Sequence, residues 1–371
     1  VGEAARPPTD QELTRMQDLV RRGMDDGAFG LSSGLYYLPG SHAKTEEVIA
    51  LARVAGERGG VYTSHIRDEA DYNIGVVAAV QEVIRIAEEG RVPGIVSHMK
   101  ALGPANWGRS AVMIERIEQA RARGVRVFAD QYPYEASATS LRAALLPGVE
   151  LPAVRDGAGS GGQAARPTAA ESAILRDNLR RRGGPASIVI AFFRPDPSLE
   201  GKSLADIAAA SGRSPEEVAV DLISRGGASI VSFNMSEADI DRIMRQPWTM
   251  TSSDGGLVAP GAGRPHPRNN GAFARKLARY VRDRRTVPLE FAIRSMTTLP
   301  AEVFGMKDRG VLREGAGADV AVFDPAAVQD RATYADPHPL AAGMEYVLVN
   351  GQVVVDGGRF TAALPGKVLR R

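Results

Sequence analysis

Apolar positions in the first 130 residues follow two alternating periods. Leu13, Met16, Leu19, Val20 and Met24 recur at helical spacing behind Thr9-x-x-Glu12, a capping box, and so predict a helix opening at Thr9. Residues 27–35 read as a short strand of small and apolar side chains that runs into a Gly- and Tyr-rich loop. Thr45, with Glu46 and Glu47 in the first turn, opens a second helix that Gly59-Gly60 stops. Residues 61–66, 94–98 and 125–130 are apolar enough to be buried strands, and residues 74–89 and 110–123 between them carry a helical pattern. The strand starts at 61, 94 and 125 lie about thirty residues apart, the length of one βα unit. Near-continuous apolar strands alternating with helices predict a parallel sheet, open or closed into a barrel.

The regularity lapses after Pro147. A Gly-rich loop at 157–162 precedes a basic helix (169–182), a strand (187–193), helices from Leu204 and Pro215 and a strand (228–233), which together read as an inserted unit or lid. Ser236-x-x-Asp239 predicts the cap of a further helix, and residues 248–252 return to the pattern of a strand followed by an acid, here Asp254. After about residue 309 the chain turns to β structure. Residues 318–323 and 346–355 are strand-like, and Asn350-Gly351 within the second is a two-residue hairpin signal.

Composition narrows the function. The 371 residues hold 46 Lys+Arg against 44 Asp+Glu, a formal charge of +2, with no dense basic block carrying interleaved aromatics, so nucleic acid is not an expected partner. No apolar run reaches membrane-spanning length, and a cytoplasmic location is expected. The absence of Cys excludes disulfides and thiolate zinc ligands from this chain.

Five histidines are present, and two of them end predicted strands: His65 and His98, each preceded by Ser. Asp130 and Asp254 end two more. In a parallel barrel the C-terminal strand ends converge on one face, where two imidazoles and a carboxylate can meet around a divalent metal such as zinc. Taken alone, the residues leave a packing role and a metal role balanced for the two histidines. His266, in Arg264-Pro265-His266-Pro267-Arg268, suits either a structural or a substrate role. His42 in a Gly/Ser loop is expected to be solvated, and His338 between prolines to be structural.

A resemblance tips the balance. Gly27-Ala28-Phe29-Gly30-Leu31-Ser32-Ser33-Gly34-Leu35-Tyr36-Tyr37-Leu38-Pro39-Gly40 resembles the Gly-rich Tyr loop of the N-acyl-D-amino-acid deacylases (D-aminoacylases), metal-dependent amidohydrolases. Thr63-Ser64-His65-Ile66-Arg67, Ser97-His98-Met99-Lys100, Asn106-Trp107-Gly108, Asp130-x-Tyr132-Pro133-Tyr134, Ser252-Ser253-Asp254-Gly255 and His266-Pro267-Arg268 follow in that family's order. Ala316-Gly317-Ala318-Asp319-Val320-Ala321-Val322-Phe323-Asp324 is similar to its small β domain.

The resemblance implies an α/β fold, a TIM-like (β/α)8 barrel to which this chain supplies about the last five strands, with an inserted lid and a small C-terminal β sandwich. The expected divisions are 1–147 and 246–308 for the barrel, 148–245 for the lid and 309–371 for the β domain. It further implies His65 and His98 as zinc ligands, and Asp254 as catalytic base and ligand of a second, weaker metal position. Lys100, Tyr37, Tyr132 and Arg268 become substrate-binding residues, acting on the amide of an N-acyl-D-amino acid. Where the family often has a hydroxyl, position 138 is Ala, within Ser137-Ala138-Thr139. The family's His-x-His pair and metal-binding Cys are missing here, so an upstream segment or partner chain is expected to complete the barrel. Two alternatives stand beside this reading: hydrolysis of cyclic amides, imides or dipeptides, and a non-catalytic barrel relic that binds a partner.

Overall fold

The computed structural model describes residues 1–148 and 167–371; the Gly-rich loop expected at 157–162 lies outside them. Numbered along the chain, β1 is Gly30–Gly34, β2 Val61–His65, β3 Gly94–Val96, β4 Val127–Gln131, β5 Ala136–Ser140, β6 Ile188–Phe192, β7 Ser229–Phe233 and β8 Thr249–Thr251. Five of them form one parallel sheet in the order β1-β2-β3-β4-β8. Helices Thr45–Glu57, Val76–Gly90 and Ser110–Ala122 make the crossovers between the first four.

The apolar runs of these strands follow from burial on both faces. Neighbouring residues point to opposite sides of a strand. Tyr62 and Val96 join Val80, Val83, Met113 and Ile117 of the crossover helices in one buried cluster. Val61, Ile95 and Met250 join Leu299 and Val303 in another. At the N-terminus the Thr9 hydroxyl accepts from the Glu12 N–H and the Glu12 carboxylate accepts from the Thr9 N–H, the reciprocal cap read from the sequence.

The remaining strands among the first eight make a separate three-stranded antiparallel sheet, ordered β5-β7-β6. With helices Leu141–Leu145, Ala169–Arg181, Leu204–Ser211 and Pro215–Ser224 it encloses its own core, including Leu175, Ile190, Leu204, Val218, Leu222 and Ile230. This unit starts at 136, ahead of the expected boundary at 148. Helix Glu237–Met244, inside the expected lid, packs on helix Ser110–Ala122 of the barrel instead. Ser236 sits at its N-cap position without making a side-chain cap bond. Asp239, the expected partner in that cap, has its carboxylate on the Gly108 N–H (2.8 Å) and the Ser110 hydroxyl.

The C-terminal strands β9 (Val320–Phe323), β10 (Met344–Val349), β11 (Gln352–Asp356) and β12 (Arg359–Phe360) form one antiparallel sheet, ordered β12-β11-β10-β9. Asn350 and Gly351, both at positive φ (47° and 80°), make the expected turn between β10 and β11.

Candidate metal and substrate site

A cavity of about 220 Å³ opens beside the C-terminal ends of the parallel strands, lined by residues of β2, the loops after β3, β4 and β8, and the inserted unit. His65 is the last residue of β2, and its Nδ1 stands 2.9 Å from Nε2 of His98. The ladder of β3 ends at Val96, two residues before His98, because His98 takes a left-handed backbone (φ 39°) that a strand does not accommodate. Asp254 adopts the same conformation (φ 49°) three residues after β8. Left-handed non-glycine residues are costly and concentrate where a side chain must be aimed.

Asp130 braces both turns. Its Oδ1 accepts from the His98 N–H at 2.9 Å and from the Ser252 hydroxyl at 2.5 Å, so this strand-end acid holds main chain and hydroxyl in place of a metal.

Glu69 is the site residue that sequence reasoning missed. Its Oε1 lies 2.5 Å from Lys100 Nζ and 3.0 Å from His98 Nδ1, and Lys100 Nζ is 2.7 Å from the same Nδ1. One ligand atom from each of His65, Glu69 and His98 falls within 4.8 Å of the others. Two imidazole nitrogens and a carboxylate oxygen at that spacing fit a divalent ion such as zinc. The adjacent Asp68 is fully buried and accepts from the N–H groups of Ala70, Asn73 and Gly75, which folds the loop that turns Glu69 inward. The only sequence signal was a carboxylate four residues after a strand-end His.

Burial pushes the His65 imidazole down to about 4; the Glu69 carboxylate opposes this, while His98 and Lys100 add to it. Burial alone would raise the Glu69 carboxyl. The Lys100 ammonium and the two imidazoles outweigh burial and hold Glu69 well below the usual carboxylate range.

The other expected site residues reach the same cavity with different partners. Asp254 lines it, but its Oδ2 pairs with Arg268 Nη1 at 2.7 Å, and its carboxylate stands outside the His65–Glu69–His98 cluster. Arg268 is buried over the ring of Tyr132, 4.5 Å from its centroid, and its Nε has no hydrogen-bond partner. Lys100 is buried and engaged by Glu69. Tyr37 packs on His65 with centroids 4.8 Å apart, and its hydroxyl meets Thr139 Oγ1 at 3.0 Å. Ser137, Ala138 and Thr139 on β5 complete that wall, together with the buried Arg182, whose Nε donates to the Ala144 carbonyl.

His266 stays out of the cavity. Its Nδ1 accepts from the Arg268 N–H (3.0 Å), so its Nε2 donates to the Ala136 carbonyl (2.9 Å), and the ring ties the Arg268 turn to β5. His338 Nε2 meets the Gly263 carbonyl at 3.1 Å, and His42 lies in a short 3-10 turn.

Known proteins resemble the chain along nearly its whole length. Along its whole length the chain is 39% identical to an N-acyl-D-glutamate deacylase of Alcaligenes xylosoxydans xylosoxydans and spans 66% of that relative's length. It is 37% identical to a D-aminoacylase of the same organism over 99% of the chain, again 66% of the relative. Its structure resembles the crystal structure of N-acyl-D-glutamate deacylase from Bordetella bronchiseptica complexed with zinc and a phosphonate inhibitor. There the TM-score is 0.81 at 40% identity, covering 99% of this chain and 68% of that one. A crystal structure of D-aminoacylase superposes with a TM-score of 0.80 at 37% identity, with the same coverage. The model of the amidohydrolase family matches residues 2–355, and the chain belongs to that family.

Proposed function

We propose that this chain carries a metal- and substrate-binding part of a hydrolase that cleaves the amide bond of N-acyl-D-amino acids, giving a carboxylate and a D-amino acid. The observation that carries the reading is the pair of imidazole nitrogens 2.9 Å apart, in one cavity with a carboxylate, an ammonium and a guanidinium. Relatives named as N-acyl-D-glutamate deacylase and D-aminoacylase support it.

His65 and His98 would hold a tightly bound zinc ion, with a second, weaker metal position near Asp254; a similar D-aminoacylase is described with a binuclear metal centre. A zinc ion there supplies Lewis acidity toward the acyl carbonyl and toward water. The chain's own groups do the rest. Asp254 takes the proton of the attacking water and returns it to the leaving nitrogen. Arg268 and Lys100 pair with the substrate carboxylate, and Tyr37 and Tyr132 orient the bound molecule by packing. Ser137, Ala138, Thr139 and Arg182 wall one side of the cavity and keep bulk water from it. The outer edges of β1 and β8 carry unpaired ladder groups in this sheet, and we assign them to further polypeptide that closes the barrel.

The test is zinc analysis of the purified protein, with turnover of N-acetyl-D-glutamate, N-acetyl-D-methionine and their L isomers. Bound zinc and D-selective hydrolysis are expected. Asp254→Asn should keep the fold and lose roughly two or more decades of turnover, the scale of an acid–base contribution. Hydrolysis confined to cyclic imides, or full activity in Asp254→Asn, would overturn the reading.

A further inference from the structure

The loop from Gly255 to Gly263 joins Asp254 to the segment that carries His266 and Arg268. It is fixed at both ends and loose between them. At its entry, Gly255 lies so close to Asn269 that a Cβ at 255 would stand 2.9 Å from Asn269 Cα, and the Gly256 N–H donates to Asn269 Oδ1 at 3.3 Å. At its exit, Gly263 lies on the Phe192 ring with no room for a side chain, and the Arg264 N–H donates to the Ala191 carbonyl at 2.7 Å. The entry is thus held by helix Arg268–Arg275 and the exit by β6 of the inserted unit. Between these anchors the main chain of 257–262 makes one hydrogen bond among the described residues, from the Ala262 N–H to the Ala259 carbonyl (3.0 Å). Leu257 stands on this loose stretch, fully exposed.

The cavity offers little to a carbon chain. Among the described residues that line it, Leu102 and Ala138 alone are aliphatic. Its tyrosine rings are taken: Tyr36 and Tyr37 pack edge-on with each other, Tyr72 packs on Tyr36, and Tyr132 lies under Arg268. With the substrate carboxylate at Arg268 and Lys100 and the scissile amide at Asp254, the acyl group is the end that remains, and it starts beside Asp254. Leu257 is three residues further on, a span of at most about 11 Å.

We infer that Leu257 is a specificity-determining residue: loop 255–263 folds over the cavity when substrate is bound and lays Leu257 on the acyl chain. The inference rests on the reading of the site as one for N-acyl-D-amino acids. Closure takes the leucine and the acyl chain out of water together, which drives it. The two anchors let the loop move while Asp254 and Arg268 stay in place. Each methylene that the leucine covers then raises kcat/KM by up to about fourfold, the worth of burying one CH2.

Steady-state kinetics on the complete protein test this, with N-formyl, N-acetyl, N-butanoyl and N-hexanoyl derivatives of D-glutamate and D-methionine. In the unsubstituted protein kcat/KM should climb with acyl length. In Leu257→Ala that climb should be lost, and Leu257→Met, an apolar side chain of similar volume, should restore it. Leu257 is exposed, so neither substitution disturbs packing. Amide hydrogen exchange at 257–262 gives a second reading that needs no variant. It should be fast in the free protein and slow with a phosphonate analogue of the N-hexanoyl substrate bound. The same dependence on acyl length in Leu257→Ala and in the unsubstituted protein overturns the inference and leaves the deacylase reading intact. So does exchange at 257–262 that is already slow without ligand, since other polypeptide then holds the loop down. Failure to turn over any N-acyl-D-amino acid overturns both.

Discussion

Lys276 is buried, donates to Thr251 Oγ1 (2.6 Å) and Ser295 Oγ (2.7 Å), and burial pushes its ammonium down to about 7 from 10.5. Between those values the unfolded chain binds the extra proton, so stability rises with pH from about 7 toward 10.5 as the native ammonium gives up its charge. Lys276→Met removes the buried charge, and the two hydroxyls, 3.0 Å apart, bond each other. We expect this variant to be the more stable near neutral pH and its advantage to shrink as pH rises. Denaturant midpoints across that range check this; a constant gap contradicts it. Nothing in the sequence pattern marks Lys276 as buried. Glu69 is equally hidden, because Arg67-Asp68-Glu69 reads as a solvated charged loop; only the Asp68 carboxylate, satisfied by three backbone N–H groups, turns its neighbour inward. His65 and His98 are legible because each follows an apolar strand, and chain connectivity then brings their ends together.

Among the elements, the strands of the parallel sheet were readable since burial on both faces leaves an unbroken apolar run. Strand β5 was not: Ala-Ser-Ala-Thr-Ser has no bulky apolar residue, and only pairing with β7 along its whole length makes it a strand. Strand β5 thus lies ahead of the boundary expected at 148. Helix Glu237–Met244 follows the strands of the inserted unit in the chain, and Asp239 joins it to the start of helix Ser110–Ala122. Replacing Asp239 with Ala leaves the Gly108 N–H and the buried Ser110 hydroxyl without this acceptor. The expected loss is about 1–3 kcal/mol, the penalty for a buried group left unpaired. Chemical denaturation of Asp239→Ala measures it, and a loss below the resolution of the method would show that packing and the Arg242 Nη1–Ser110 Oγ bond (2.6 Å) hold the helix without it.

At the level of the whole molecule, β1 and β8 are the outer strands of the five-stranded sheet; β8 is buried, and β1 is part-exposed. Apolar side chains also remain exposed on the C-terminal sheet, Val322, Tyr346 and Phe360 among them. If further polypeptide closes the barrel, amide protons on the outer edge of Gly30–Gly34 should exchange slowly in the complete protein and quickly in the isolated 371-residue chain. Equal exchange in both would mean that this edge is covered by something else.

The left-handed backbone at His98 and Asp254 sets heat resistance against chemistry. An ordinary side chain in that conformation costs on the order of 1–2 kcal/mol per residue, and glycine avoids the cost. At Asp254 the ion pair with the buried Arg268 outweighs that cost. Selection of random variants for thermal survival alone, with no demand for turnover, should therefore enrich glycine or asparagine at position 98, and the survivors should have lost turnover. Selection for turnover should restore His and give back degrees of melting temperature. On this account the most durable variant and the working one would part at the residue where β3 opens onto the cavity.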